Sequence, residues 1–426
     1  MIDTLVDFSL NKGFDEVAIK REKVKRMQVR FSNSEIDIVK EWNEDVCDIY
    51  LFKEKKMYNT IVNTQYAKKA IEEAVKYIEH SPPNPLFIGL NPEKQSYRSK
   101  NVEIEDVDLV EYAKESIEGA ISKGAKRVAG VAYFNYETTQ IATNYNFVED
   151  VNSDVQLVVR AFSHNSVGQW AALTSRKGGF EPREVGEIAG NYATICTKVE
   201  EGKEGNYDVL FAPLSFGTLL SYSMRMLSSY YVETQASMFT DLVGNKVASE
   251  ALTLYDDPTY PLRNSRVADD EGTATKKNKL IDRGVLKNYL HNYSSAKRMN
   301  MENTANAGII APMPWIINVE AGKREFNDML SEIKKGLFIV NSWYTRFQNY
   351  RTGDFSTIPR DGVFYVEDGE IKSVWRNIRV SDNMLRILKN IVEVSRERNE
   401  VAWWGEVMPS VLPYALIKDV KITKAK

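Results

Sequence analysis

The sequence predicts an α+β fold: an N-terminal region of mixed strands and helices over residues 1–200, followed by a strand-rich, antiparallel domain over residues 201–426. Three observations carry this expectation. Two-fold alternation recurs in short runs, as at residues 45–52, where Val46, Asp48 and Tyr50 alternate with Cys47, Ile49 and Leu51. Helical spacing recurs between such runs, clearest at residues 66–79, where Ala67, Ala70, Ile71, Ala74, Val75 and Ile78 form one apolar stripe. Beyond residue 200, Gly/Asp turns separate short strands, a pattern of antiparallel sheet rather than of a doubly wound one. At 426 residues the chain is also long for a single domain.

In chain order, residues 2–12 have helical spacing and Gly13 is a suitable stop. Strand-like segments follow at 16–20, 26–32, 35–40, 45–52 and 57–62, then the helix at 66–79, which Ser81-Pro82-Pro83-Asn84-Pro85 ends. A second helix is predicted over 107–122, closed by Gly124, and strands over 128–136, 141–147 and 155–163, so that the second hundred residues loosely echo the first. A helix begins near Pro182 and runs to about Val199. Residues 207–211 read as a buried strand leading into Pro213, well placed to start a helix over 215–229. Further helices are expected at 294–300, 326–335 and 383–392.

Composition narrows the function. Apolar residues are 43%, charged residues 27%, and the net charge of −3 gives no basic footprint for nucleic acid. The basic run from Lys20 to Arg26 includes an acid and reads as the solvated face of a strand or turn. Two cysteines, Cys47 and Cys196, do not make a disulfide framework and suggest a reducing compartment. The first residues lack the basic and apolar regions of a signal peptide, and no run approaches the ~18 apolar residues of a membrane span. A cytoplasmic protein is expected.

The usual catalytic devices are missing. His80, His164 and His291 are singletons, whereas zinc takes three or four N, S or O ligands, usually including a close pair. Each histidine is therefore read as structural or superficial. Asp269-Asp270-Glu271 offers carboxylates to a hard cation, but Gly272 follows at once and the EF-hand spacing is absent, so a turn is expected. There is no Gly-x-Ser-x-Gly elbow, and Ser215 reads as a core or capping residue. Phosphate-binding glycine loops are absent too. The aromatic pairs Trp343-Tyr344 and Trp403-Trp404 suit a peptide groove, although core packing is the first expectation.

One ordered series is more specific: Ser237-Met238-Phe239-Thr240-Asp241-Leu242, Asp257-Pro258, Asp269-Asp270-Glu271-Gly272-Thr273, Ile281-Asp282-Arg283-Gly284-Val285-Leu286, Thr352-Gly353-Asp354-Phe355-Ser356, and Pro413 with Ile417-Lys418-Asp419-Val420. In that order it resembles the TldD/PmbA family of metalloproteases. Active members carry a His-Glu-x-x-x-His zinc motif just before the series. Counted back without gaps from Ser237, the motif falls on Leu220-Ser221-Tyr222-Ser223-Met224-Arg225. The two histidines become Leu220 and Arg225, and the glutamate becomes Ser221. Leucine cannot ligate zinc and arginine is a fixed cation that repels it.

The resemblance is therefore to the PmbA/TldE-type subunit that lacks the motif. It implies no catalytic residue and no metal bound by this chain, with zinc in a metal-bearing TldD-type partner. It also implies a heterodimer that degrades unfolded or flexible peptides, with no role for nucleic acid or membrane. Arg225, Ser237, Asp269, Asp270, Glu271 and Gly272 are the peptide-binding or structural candidates, and a structural salt bridge is expected for Arg225. The alternatives are a homodimeric peptide-binding or scaffold protein without proteolysis, and a hydrolase using Ser221, Ser237 or Asp270.

Overall fold

The structure is a computed structural model that describes residues 2–425. Its first half contains the order helix, three strands, helix twice over. The first set is α1 (Ile2–Asn11), β1 (Glu16–Ser32), β2 (Glu35–Lys53), β3 (Lys56–Asn63) and α2 (Ala67–Ile78). After a short strand β4 (Ser96–Asn101), the second set is α3 (Leu109–Ser122), β5 (Arg127–Thr143), β6 (Phe147–Phe162), β7 (Val167–Thr174) and α4 (Pro182–Thr194). β1 and β5 pair antiparallel at the centre and join the sets into one seven-stranded sheet, in which only β4 runs parallel to its neighbour, β6.

Several strands are longer than alternation predicts. β1 is continuous from Glu16 to Ser32, through the basic run. Backbone ladders on both sides hold it there, and cross-strand ion pairs such as Arg21 with Asp45 (2.7 Å) and Lys25 with Glu41 (3.4 Å) join its charged residues to β2. The expectation of a wholly solvated run is corrected at Lys20, whose ammonium turns inward to 3.9 Å from Asp270. β7 has no counterpart in the predicted elements. Seven of its eight residues are buried, so neither face alternates.

The helices cover the sheet from one side. α1 and α2 pack on Val17, Ile19, Ile49 and Leu51, while α3 and α4 pack on Val155, Leu157 and Ala171. α3 and α4 meet so closely that a Cβ at Gly186 would stand 1.9 Å from the Ser116 carbonyl oxygen, which only glycine tolerates.

From Val199 onward the chain builds a fourteen-stranded sheet. It is mostly antiparallel, but three pairings are parallel: Ile317–Val319 and Gly205–Phe211, respectively on Val407–Lys424 and Lys335–Ile339, and Val199–Glu201 on Glu370–Arg376. The helices predicted at 326–335 and 383–392 are shorter, Phe326–Ser331 and Met384–Lys389, because each is followed at once by a strand. One apolar core runs from Val29 and Phe31 through α3 and α4 to Ile422. The two sheets are further tied by Arg160 to Asp361 (2.7 Å) and by Gln156 Nε2 donating to the Ala402 carbonyl (2.6 Å). No helix among the described residues is long and apolar enough to cross a membrane.

Candidate functional site

The helix α5 (Pro213–Met226) occupies the position to which the sequence count assigns the zinc motif. It follows the buried strand Gly205–Phe211, and Pro213 stands in its first turn, where a missing N–H costs nothing. It begins and ends earlier than predicted: Leu227 and Ser228 break it, and Ser229–Glu233 forms a separate short turn of helix, α6. Twelve of its fourteen residues are buried, and only Tyr222 and Arg225 are not. A helix buried almost all round must satisfy its hydroxyls internally. Ser215 Oγ donates to the Ile339 carbonyl (2.6 Å), Thr218 Oγ1 to Leu214 (3.0 Å) and Ser223 Oγ to Leu219 (2.9 Å).

Leu220 is fully buried in the apolar core. Ser221 is equally enclosed, and its Oγ accepts the Met408 N–H (3.1 Å). Arg225 is exposed. These three positions do not fit a divalent cation: one supplies no donor atom, one has its hydroxyl spent on the backbone, and one is a permanent cation. No three His, Cys, Asp or Glu side chains converge in metal-ligating fashion among the described residues. The expected salt bridge of Arg225 is not formed with any described residue. Its guanidinium instead lies 5.5 Å from the Tyr222 ring, because no carboxylate comes within ion-pair distance at that surface.

Around half-buried Tyr222 and exposed Arg225 the second sheet assembles aromatics that are far apart in sequence. Tyr222 meets Phe347 at 6.2 Å, and Phe347 meets Tyr350 at 5.3 Å. Trp343 stacks on Tyr344 (4.8 Å, 15°), packs against Trp404 (5.3 Å), and carries the Arg360 guanidinium at 4.4 Å. Trp403 is buried, whereas Trp404 is 71% exposed and Tyr344 52%. Both exposed rings sit on left-handed backbone, with φ of +41° and +56°. That conformation is costly for large side chains, and such strain concentrates at functional positions. Glu406 lies beside them. Burial pushes its carboxyl up, against opposing contributions from Thr345, Arg225 and Tyr222, and its Oε2 is buried with no partner among the described residues.

The acidic turn lies elsewhere, in the seam between the sheets. Asp269 Oδ1 accepts the N–H groups of Glu271 (3.0 Å) and Thr273 (2.9 Å), and Oδ2 accepts that of Ala307 (3.0 Å). Asp270 pairs with Arg266 (2.7 Å) and faces Lys20. Glu271 Oε2 accepts the Tyr293 N–H (3.0 Å), while its carbonyl accepts Asn146 Nδ2 (3.0 Å). Gly272 has φ +80°, and a Cβ there would stand 2.4 Å from Asn146 Cβ. Burial raises the carboxyls of Asp269 and Glu271, the second also through the first. Burial acts the same way on Asp270, but Lys20 and Arg266 outweigh it and hold that carboxyl low. This turn is a clamp between the halves of the molecule. Ser237 is also built into the frame, its Oγ donating to the Met226 carbonyl (2.6 Å) and accepting the Phe239 N–H (3.0 Å).

Of the sequence candidates, then, Arg225 is at the aromatic surface, Leu220 and Ser221 are beneath it, Ser237 braces the end of α5, and 269–272 stand apart from it. No hydrogen bond or ion pair joins Arg225 to the acidic turn. Tyr222 and Glu406 were not among the candidates. They become visible only when α5 is laid against strands from residues 342 and 407 onward.

The family model described as the PmbA/TldA metallopeptidase C-terminal domain matches residues 204–424, more than half of the chain. The chain belongs to the TldD/PmbA family. A metalloprotease of Methanocaldococcus jannaschii is 30% identical over 220 residues, which are 49% of this chain and 48% of the relative, so the chain spans about half the length of that protein. A TldD homolog of Buchnera aphidicola from Acyrthosiphon pisum is 24% identical over 80% of this chain and 73% of its own length. In fold, the chain is similar to TldE from Thermococcus kodakarensis, with a TM-score of 0.85, 24% identity and 99% of both chains covered. The acidic turn, the Thr352–Ser356 segment and α5 all lie within the matched TldD/PmbA domain.

Proposed function

We propose that this chain is the non-zinc subunit of a TldD/TldE-type heterodimeric metalloprotease complex that acts in the cytoplasm on unfolded or flexible peptides. Its contribution is to complete the chamber and to grip peptide, while a metal-bearing TldD-type subunit supplies zinc and the cleavage step. One observation carries the reading. The helix to which the sequence count assigns the zinc motif is sealed here at Leu220 and Ser221, and its two residues that are not buried, the half-buried Tyr222 and the exposed Arg225, open onto a strained aromatic surface. Exposed aromatic and arginine side chains are what protein and peptide interfaces are enriched in.

The test has two stages. The purified chain alone is expected to hold no stoichiometric zinc and to leave an unfolded peptide intact. Mixed with a TldD-type subunit, it is expected to form a 1:1 complex by light scattering and to stimulate cleavage. Zinc and cleavage from the chain alone would end the proposal. A homodimer that ignores the TldD-type subunit would favour the scaffold alternative instead.

A further inference from the structure

A cavity of about 630 Å³ lies at the seam, between the first sheet and segment 258–275. The topology creates it. β4 and β7 both lie on the side of β6 away from β5. β4 runs parallel to β6 and ends with Asn101 opposite Asn152, and β7 runs antiparallel and ends with Thr174 opposite Val155. Their C-terminal ends face each other across a gap at Ser153 and Asp154, and the residues that follow, Val102 and Ser175, line the cavity. Pro258 and Pro261 on the facing wall have no N–H to extend the sheet into the gap. The volume falls within the roughly 300–1,000 Å³ of small-molecule sites.

Two donors in the wall are unspent. Ser175 is 7% exposed and its Oγ has no hydrogen-bond partner among the described residues. The Arg266 guanidinium is fixed on three sides: Nε donates to the Ala268 carbonyl (2.8 Å), Nη2 to Asp270 (2.7 Å), and its carbon stands 4.0 Å from the Trp315 ring centroid. Nη1 donates to nothing among the described residues. Asp270 is shared between Arg266 and Lys20, and the carboxylates of Asp150 and Asp269 also lie within the reach of the Arg266 charge. In the neighbouring strand, Asp150 Oδ2 is engaged by the Val267 N–H (3.0 Å). Lys100 stands exposed on the rim, 3.9 Å from Glu105, and Glu103 also lines the cavity. A rigid, half-used guanidinium and a buried hydroxyl lining one cavity suit a carboxylate, whose oxygens accept from such donors.

We infer that this cavity binds a carboxylate group, held by Arg266 Nη1 and Ser175 Oγ with Lys100 at the mouth. Two sources share that chemistry: the C-terminus of a short peptide, which rests on the protease reading above, and a free small organic acid, which does not.

Isothermal titration of the full purified chain tests it with three probes: N-acetyl-trialanine as the free acid, the same peptide as its C-terminal amide, and succinate. The free acid or succinate is expected to bind, with the amide at least about tenfold weaker than the acid. Ser175→Leu, which fills the cavity, and Lys100→Glu, on an exposed side chain, are each expected to weaken the binding about tenfold or more. Binding by the peptide acid alone identifies a peptide terminus, and equal binding by succinate identifies a small acid. The inference is overturned if acid and amide bind alike, if neither acid binds up to about 10 mM, or if both variants bind as the unaltered chain does. No partner subunit and no cleavage enter this measurement, so failure of the heterodimer proposal would leave its result intact.

Discussion

Restoring the motif at α5 by Leu220→His, Ser221→Glu and Arg225→His should not create a zinc enzyme. Its main effect should be on stability, and the structure sets the size. Leu220 is fully buried, so replacing it removes about 1.5–3 kcal/mol of apolar burial. The imidazole would leave at least one ring nitrogen unpaired in the core, at about 1–3 kcal/mol. Leu220→His alone is therefore expected to cost about 2.5–6 kcal/mol. Ser221→Glu adds the loss of the Met408 N–H contact and a carboxylate buried without a cation. Arg225→His touches only the surface and should stay within about 0.5 kcal/mol. Total stabilities of about 5–15 kcal/mol leave little margin for the triple change. Urea denaturation of each single variant, with metal analysis of the triple variant, is the assay. A triple variant that unfolds at the unaltered midpoint and holds one zinc per chain would refute the picture of a sealed helix.

Three further predictions follow from individual residues. Trp404→Ala should leave the isolated chain within about 0.5 kcal/mol of its original stability, since the ring is 71% exposed. The same change should weaken association with a TldD-type subunit by about 2 kcal/mol, roughly thirtyfold, in a titration of the complex. Gly272→Ala must adopt φ +80° and push on Asn146, so it should cost roughly 2–4 kcal/mol by urea denaturation, and a loss below about 1 kcal/mol would contradict the clamp. Two buried groups should give opposite pH slopes. Burial, against bonds from Asn306, Trp315 and Ile316, raises Asp256 to about 6, so the folded chain keeps a proton that the unfolded chain has lost. That contribution, worth roughly 3 kcal/mol, is complete below about pH 4 and lost as the pH rises through 6. It should be absent from Asp256→Asn, and so appear as the difference between the pH profiles of the unaltered chain and that variant. Burial, helped by Arg298, lowers His291 to about 4, so its contribution is present above about pH 6.5 and lost as pH falls through 4. The imidazole resonances of His291 should accordingly stay neutral at pH 5.

The fold was legible wherever one face of an element meets water. α2 and α3 were predicted nearly to their ends because their apolar stripes are narrow. β1 and β2 were seen only as fragments, since their ladders continue through charged residues that pair across strands and carry no apolar period. β7 was missed for the opposite reason, being buried on both faces. The acidic turn is legible as a turn, but nothing in Asp269-Asp270-Glu271 discloses Asn146, Lys20 and Ala307, which come from 38 or more positions away in the chain and bind its backbone and carboxylates.

The order of short signatures is enough, without coordinates, to place the chain in its family, and an ungapped count from Ser237 assigns the motif's histidines to Leu220 and Arg225, because side-chain chemistry is a local property of the sequence. Which residues of α5 reach solvent, which aromatics gather beside Tyr222, and where two strand ends leave a gap depend on pairings between segments up to about two hundred residues apart. Those pairings are selected by the packing of the whole core, which no local pattern encodes.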